Sequence, residues 1–128
     1  MNPYKESANM ILCKADKVLQ KQHEEEKGME NLLADIAVVF NIDLALIKDG
    51  ETMHMCAVVR KIFYYIGHTK HNYPYKIMSK IAGRIDHSHV SYHIKRVKNF
   101  LMVKDPDFIV LWNHYLENSK LYTKKDFL

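Results

Sequence analysis

Apolar residues recur every three or four positions along most of this chain, the spacing of one face of an α-helix. At the N-terminus the pattern predicts two helices, over residues 5–27 and 29–40. Gly28 is expected to end the first, because glycine commonly follows the last helical turn. The first helix is amphipathic. Its apolar face consists of Ala8, Ile11, Leu12, Ala15, Val18 and Leu19.

Further helices are predicted between turn and capping residues. They cover residues 44–48, 51–67, 75–82, 87–104 and 106–118. Asp43, Asp86 and Asp105 are expected to cap three of them, since a carboxylate there accepts hydrogen bonds from free backbone N–H groups. No segment alternates as a half-buried strand would. The chain is therefore predicted to be all-α, a helical bundle with a helix-turn-helix core.

The helices divide into three predicted parts. Residues 1–28 form an N-terminal amphipathic helix, residues 29–104 the helix-turn-helix domain, and residues 105–128 a C-terminal helix and tail packed on the same domain. The terminal helices are expected to cover apolar surface. They could instead form an interface for a protein partner or for self-association, because the last helix carries an aromatic stripe typical of such anchors. That stripe is Phe108, Trp112, Tyr115 and Leu116.

The composition fits one globular domain. Of the 128 residues, 48% are hydrophobic and 27% charged, which excludes wholesale disorder. Cys13 and Cys56 lie far apart and form no metal-binding or redox pair, so free thiols in a reducing compartment are expected. No apolar run is long enough to span a membrane, and no signal peptide is evident. These features favour the cytoplasm, either at the nucleoid or in the host cytoplasm of a phage-encoded protein.

Positive charge is concentrated in one segment. Residues 60–104 contain ten lysines or arginines and one acid, a net charge of +9, against +4 for the whole chain. The remaining residues therefore carry −5. A basic segment overlapping a predicted helix-turn-helix indicates double-stranded DNA as the partner, because phosphates attract such a surface.

The candidate DNA contacts lie in and around this segment. The first turn of the 87–104 helix offers hydrogen-bonding groups to base edges, and the basic residues face phosphates. The predicted contacts are Arg60, Lys61, Lys76, Lys80, Arg84, Asp86, His87, Ser88, His89, Ser91, Tyr92, Lys95, Arg96 and Lys98. The competing interpretation is that these charges are the solvated face of an amphipathic helix.

Histidines raise two further hypotheses. His89 and His93 lie four residues apart, a spacing that suits a metal, but no cysteine or carboxylate cluster completes a ligand set. No metal, cofactor or catalytic residue is predicted, and the chain is not expected to be an enzyme. His87, His89 and His93 are expected to take up protons near DNA, because phosphate favours the imidazolium form.

Several motifs resemble the C-terminal DNA-binding domain of the bacterial replication initiator DnaA. Residues 86–90, Asp-His-Ser-His-Val, resemble the Asp-His-Thr-Thr-Val that opens that family's recognition helix. Residues 59–66 resemble its Arg-Gln-Ile-Ala-Met-Tyr-Leu helix, and residues 36–47 its opening helix and hinge. The resemblance covers residues 29–103. It implies sequence-specific binding of double-stranded DNA in replication initiation or its regulation.

The chain also departs from that family. Residues 49–51 are Asp-Gly-Glu where the family has basic residues that reach the minor groove. Ile85 stands where an arginine is common, and His89 replaces a threonine. No GxxxxGK[ST] phosphate loop occurs, so origin melting driven by ATP is not expected of this chain. Two alternatives remain open: transcriptional control, or a protein-interaction module or decoy that keeps the fold and binds a replication or transcription protein.

Overall fold

The described part of the chain folds into six α-helices. The computed structural model describes the backbone of residues 3–128 and the side chains of residues 16–128. The helices are α1 (Pro3–Val39), α2 (Leu44–Lys48), α3 (His54–His71), α4 (Tyr75–Ile81), α5 (Ser88–Val103) and α6 (Pro106–Asn118), followed by a 3₁₀ helix, Lys124–Phe127. The described backbone contains no strand, and the prediction of an all-α bundle is confirmed.

The predicted break at Gly28 is wrong, because α1 runs through it as one continuous helix. Gly28 lies under the ring of Tyr73, and a Cβ placed on it would be 2.5 Å from the tyrosine oxygen. The glycine therefore allows a close approach and does not end a helix. Val18 and Leu19 of the predicted apolar face are exposed, whereas its four earlier residues lie outside the described side chains.

Gly67 shows the same departure from the prediction. Helix α3 begins at His54 instead of residue 51 and continues four residues beyond Gly67, to His71. A Cβ on Gly67 would be 2.5 Å from the sulfur of Met78, so this glycine also serves packing. The helix ends at Asn72, whose backbone is left-handed with φ 51°. Asparagine tolerates that conformation better than most residues.

Helix α3 lies at the centre of the bundle. It packs against α1 on one side and α5 on the other, and α4 contacts all three. Its buried side chains form the middle of the core, and α5 contributes Val90, Ile94 and Val97. The free thiol of Cys56 is buried within this core.

Helix α6 and the tail after it close the bundle. Asp105 caps α6 as predicted, accepting a 3.0 Å hydrogen bond from the N–H of Phe108. The aromatic stripe of α6 is buried, and the Phe127 ring lies 5.0 Å from that of Trp112. Asp35 of α1 accepts hydrogen bonds from the hydroxyls of Tyr115 and Ser119 at 2.8 and 2.7 Å. The stripe therefore covers the core and is not an exposed interface.

The Gly28–Tyr73 contact predicts that the effect of Gly28→Ala on stability depends on the residue at position 73. In the native background, Gly28→Ala forces the Tyr73 hydroxyl away and gains little or loses stability. In Tyr73→Phe the nearest remaining ring atom is 3.6 Å away, an ordinary contact. There Gly28→Ala should raise the free energy of unfolding by about 0.5–1 kcal/mol, the usual gain for alanine within a helix.

Urea unfolding of the four proteins in this cycle measures the effect. The same change for Gly28→Ala in both backgrounds would contradict a steric role for the tyrosine oxygen.

Candidate nucleic-acid interface

The turn between α4 and α5 is shaped by Gly83. Its φ is 79°, and a Cβ at this position would collide with the backbone carbonyls of Ile47 and Lys48. The N–H of Arg84 donates to the carbonyl of Ser79 at 2.9 Å, which closes the end of α4. The turn is therefore packed directly on α2, with no room for any side chain at residue 83.

Ser79 holds the same turn from inside. Its side chain is buried, and its hydroxyl lies within hydrogen-bond distance of the carbonyls of Arg84 (3.2 Å) and Asp86 (3.1 Å). Two backbone acceptors that precede α5 are thereby fixed to α4. The sequence analysis missed this role, since a serine in a short helix gives no signal of its partners.

Arg60 is buried, contrary to its prediction as an exposed residue that contacts phosphate. The residue is only 3% exposed. Its guanidinium donates to three carbonyls, those of Ile47 and Ala82 at 2.9 Å and that of Glu51 at 2.6 Å. Burial lowers the pKa of Arg60, and the nearby Arg84 acts in the same direction. Arg60 therefore ties α2, the loop after it and the end of α4 to α3.

The N-cap position of α5 is His87 and not Asp86 as predicted, because the helix begins at Ser88. The Asp86 carboxylate nevertheless binds this first helical residue. One carboxylate oxygen accepts from the backbone N–H of Ser88 and the other from its hydroxyl, both at 2.9 Å. These hydrogen bonds lower the pKa of Asp86, so it is ionised at neutral pH. His87, Ser88 and His89 lie exposed beside this carboxylate.

Most of the predicted contacts lie on the surface. Lys61, Arg84 and Ser91 are half-buried. The exposed residues of the predicted set are Lys76, Lys80, Asp86, His87, Ser88, His89, Tyr92, Lys95, Arg96 and Lys98. Eight of these lie on α5 or the turn before it, so the structure gathers much of the set around one helix, with Lys76 and Lys80 on the adjoining α4.

Arg96 is held in place by two aromatic rings of its own helix. Its guanidinium lies 5.5 Å from the centre of the Tyr92 ring and 5.1 Å from that of Phe100. It also donates a 2.9 Å hydrogen bond to the Tyr92 hydroxyl. A cation fixed in this way loses less conformational freedom on binding an anion than an unrestrained side chain does.

An open groove of about 430 Å³ runs between α3 and the start of α5. Polar and charged side chains line it, together with apolar ones that include Ile85. The groove is lined by Ala57, Arg60, Tyr64, Gly83, Arg84, Ile85, Asp86, His89 and His93. The turn and the first turn of α5 thus face a common concave surface.

His93 differs from the other histidines of α5. It is half-buried, its ring stacks on that of Tyr64 at 6.0 Å, and its Nδ1 is buried without a hydrogen-bond partner among the described residues. Burial lowers its pKa to about 4, helped by the positive charge of Lys61 and by His89, Arg96 and Arg84. His93 is therefore uncharged at neutral pH in the free protein, and its proton uptake near DNA stays a prediction.

The exposed cations of this surface form no ion pair within the described part of the chain, although Lys80 lines a groove together with Glu26 and Glu30. The two ion pairs of the described residues, Lys48–Glu30 and Lys124–Glu117, both lie outside this surface. Residues 16–128 also bring no three histidine, cysteine or acidic side chains together as a metal site. Nor is any described helix long and apolar enough to cross a membrane. Solvent-facing cations without partners are available to an external anion.

Known proteins that resemble this chain include DnaA proteins of Helicobacter pylori. The chain is 28% identical over 109 residues to the chromosomal replication initiator protein DnaA of Helicobacter pylori strain HPAG1, and equally to that of strain J99. The protein of strain Shi470 is 27% identical over the same length. The part of DnaA that this chain resembles is the C-terminal part. The suspected resemblance to DnaA is confirmed.

The DnaA match has clear limits in extent. It covers 84% of this chain but only 24% of the length of each DnaA protein, so the chain spans about a quarter of the curated relatives it matches. No family model matches the chain. No solved structure matches it either.

Arg60 provides a test of how the turn is held. Arg60→Leu removes a charged donor from three carbonyls, of which that of Ile47 still accepts from the N–H of Gly50 at 3.1 Å. Hydrogen bonds from a charged donor contribute about 1.5–3 kcal/mol each. We expect the free energy of unfolding to fall by about 3 kcal/mol or more. Urea unfolding measures this loss. Lys61→Ala, at the next position of the same helix, is the matched control and should stay within about 0.5 kcal/mol. Equal stability of the two variants would contradict the scaffold role.

His93 predicts a dependence of stability on pH. The unfolded imidazole binds a proton near pH ~6.5, whereas the folded one does so only near pH 4. Between these values the unfolded state binds more protons, so stability falls as the pH falls through this window. Urea midpoints at pH 7.5 and 5 should differ less in His93→Phe than in the native protein. An unchanged difference, or an NMR-measured pKa near 6.5, would contradict the burial of this ring.

Proposed function

We propose that this chain is a sequence-specific double-stranded DNA-binding protein that acts in replication initiation or its regulation. The observation that carries the proposal is the exposed, polar first turn of α5, surrounded by cations that form no ion pair among the described residues, in a chain similar to the C-terminal part of DnaA. The proposed place of action is the cytoplasm, at the nucleoid.

Helix α5 has the geometry for the major groove, which is wide enough for one α-helix. Its apolar side is fixed in the core, so its opposite side is the one that enters the groove. His87, Ser88 and His89 lie at its N-terminal end, where the recognition helices of helix-turn-helix proteins contact bases. The Asp86 carboxylate orients Ser88 and completes this end of the helix.

Phosphate contacts are assigned to the cations on both sides of this first turn. Lys95, Arg96 and Lys98 follow it along α5, and Lys76 and Lys80 lie on α4. Because these residues occupy both arms of the helix-turn-helix, they can reach phosphates on the two borders of one groove. Such contacts fix the register of a protein on DNA, while base contacts supply sequence preference.

Selection of bound sequences from a random duplex pool tests the proposal directly. The enriched duplex and a scrambled duplex of equal composition then separate two kinds of variant. Lys98→Ala should weaken binding to both equally, because phosphates carry no sequence. His87→Ala should instead reduce the preference for the enriched duplex by about 1–3 kcal/mol if one base contact is lost.

Lys125→Ala is the matched control, since it removes an exposed lysine from the C-terminal 3₁₀ helix. It should change neither affinity by a measurable amount at the same salt concentration. Equal losses on both duplexes for His87→Ala would refute base reading by the first turn. Failure of the native protein to enrich any sequence would refute DNA recognition and favour a protein-binding module.

A further inference from the structure

Ile85 is an apolar residue of the candidate interface. Contacts between polar side chains and DNA do not explain why it is exposed there. It lies between Arg84 and Asp86 in the turn before α5, and its side chain is fully exposed. It also lines the groove that contains His89. A fully solvated isoleucine gains nothing from packing within this chain, so its apolar surface is available to a bound partner.

The backbone around Ile85 is held on both sides. The hydroxyl of Ser79 reaches the carbonyls of Arg84 and Asp86, the two residues that flank it. Gly83 packs the same turn against α2. The isoleucine side chain is branched at Cβ and has few χ1 rotamers. Ile85 is therefore a pre-positioned apolar group, and covering it costs little conformational entropy.

The surroundings of Ile85 favour DNA over a protein as the partner. Protein interfaces anchor on clusters of large apolar and aromatic side chains. Ile85 is instead the one aliphatic side chain larger than alanine among the residues that line the groove, with Arg84, Asp86 and His89 also in the lining. The major groove offers the matching surface: a single thymine methyl group set among hydrogen-bond donors and acceptors.

We propose that Ile85 contacts the C5 methyl group of a thymine in the major groove and selects that base at one position of the site. The inference rests on the proposed function, since it requires α5 and the preceding turn to face DNA. Ile85 is then a residue that selects a base by an apolar contact, next to polar side chains that recognise hydrogen-bond donors and acceptors.

Deoxyuridine tests this contact, because it differs from thymidine only by the missing C5 methyl group. The probe is the duplex most enriched from the random pool, with each thymine replaced in turn by deoxyuridine. For the native protein, one replacement should weaken binding about four-fold, the effect of one methyl group that is no longer buried. Ile85→Ala should bind the two duplexes equally at that position and respond as the native protein does at every other thymine.

Two further variants separate the contact from general effects. Val110→Ala removes an exposed aliphatic group from α6, outside the groove, and should keep the full four-fold response. Ile85→Val should respond to an intermediate degree, and it carries the test if Ile85→Ala shifts the urea midpoint. Differences in duplex stacking cancel, because every protein is compared on the same two duplexes.

The outcomes distinguish this inference from the function it rests on. Specific binding that no deoxyuridine replacement weakens, or an Ile85→Ala variant that keeps the native response, overturns the thymine contact and leaves DNA recognition intact. An enriched site without thymine does the same. If the native protein enriches no sequence, the proposed function and this inference both fail.

Discussion

The helix-turn-helix of this protein depends on one buried guanidinium. Arg60 donates hydrogen bonds to carbonyls of three segments that are remote in sequence, at Ile47, Glu51 and Ala82. Ile47 and Ala82 lie at the C-terminal ends of α2 and α4, helices of five and seven residues. Helices this short are not stable alone, and their last carbonyls form the negative end of the helix dipole. One cation therefore satisfies both ends and fixes the turn that leads into α5.

The local elements of the fold were predictable because their causes are local. Apolar spacing located most of the helices, and Asp43 and Asp105 cap as expected because a cap involves residues only two or three positions away. The predictions that helices end at Gly28 and Gly67 were wrong because the causes at these positions are not local. Each faces a side chain supplied by another part of the chain, Tyr73 or Met78, and helical periodicity contains no information about that partner.

The candidate site divides along the same line. The exposed polar turn of α5 follows from its cap and from the apolar stripe that faces the core, so it could be found by reading along the helix. The role of Arg60 could not be found in this way. Charge alone predicts a surface position, whereas the burial of Arg60 depends on three carbonyls gathered by tertiary packing. His93 is a similar case, because its half-buried ring is set by Tyr64 of α3. The division of the chain into domains stays a prediction.

The groups that shape the turn and the groups that face outward are different residues. Arg60, Ser79 and Gly83 hold the backbone from inside, while Ile85, His87 and His89 project from it into solvent. Their exposed side chains therefore contribute little to folding free energy. A library randomised at these three positions should keep its fold across most members. The turn is thus a scaffold on which binding preference can be redesigned without repacking the core.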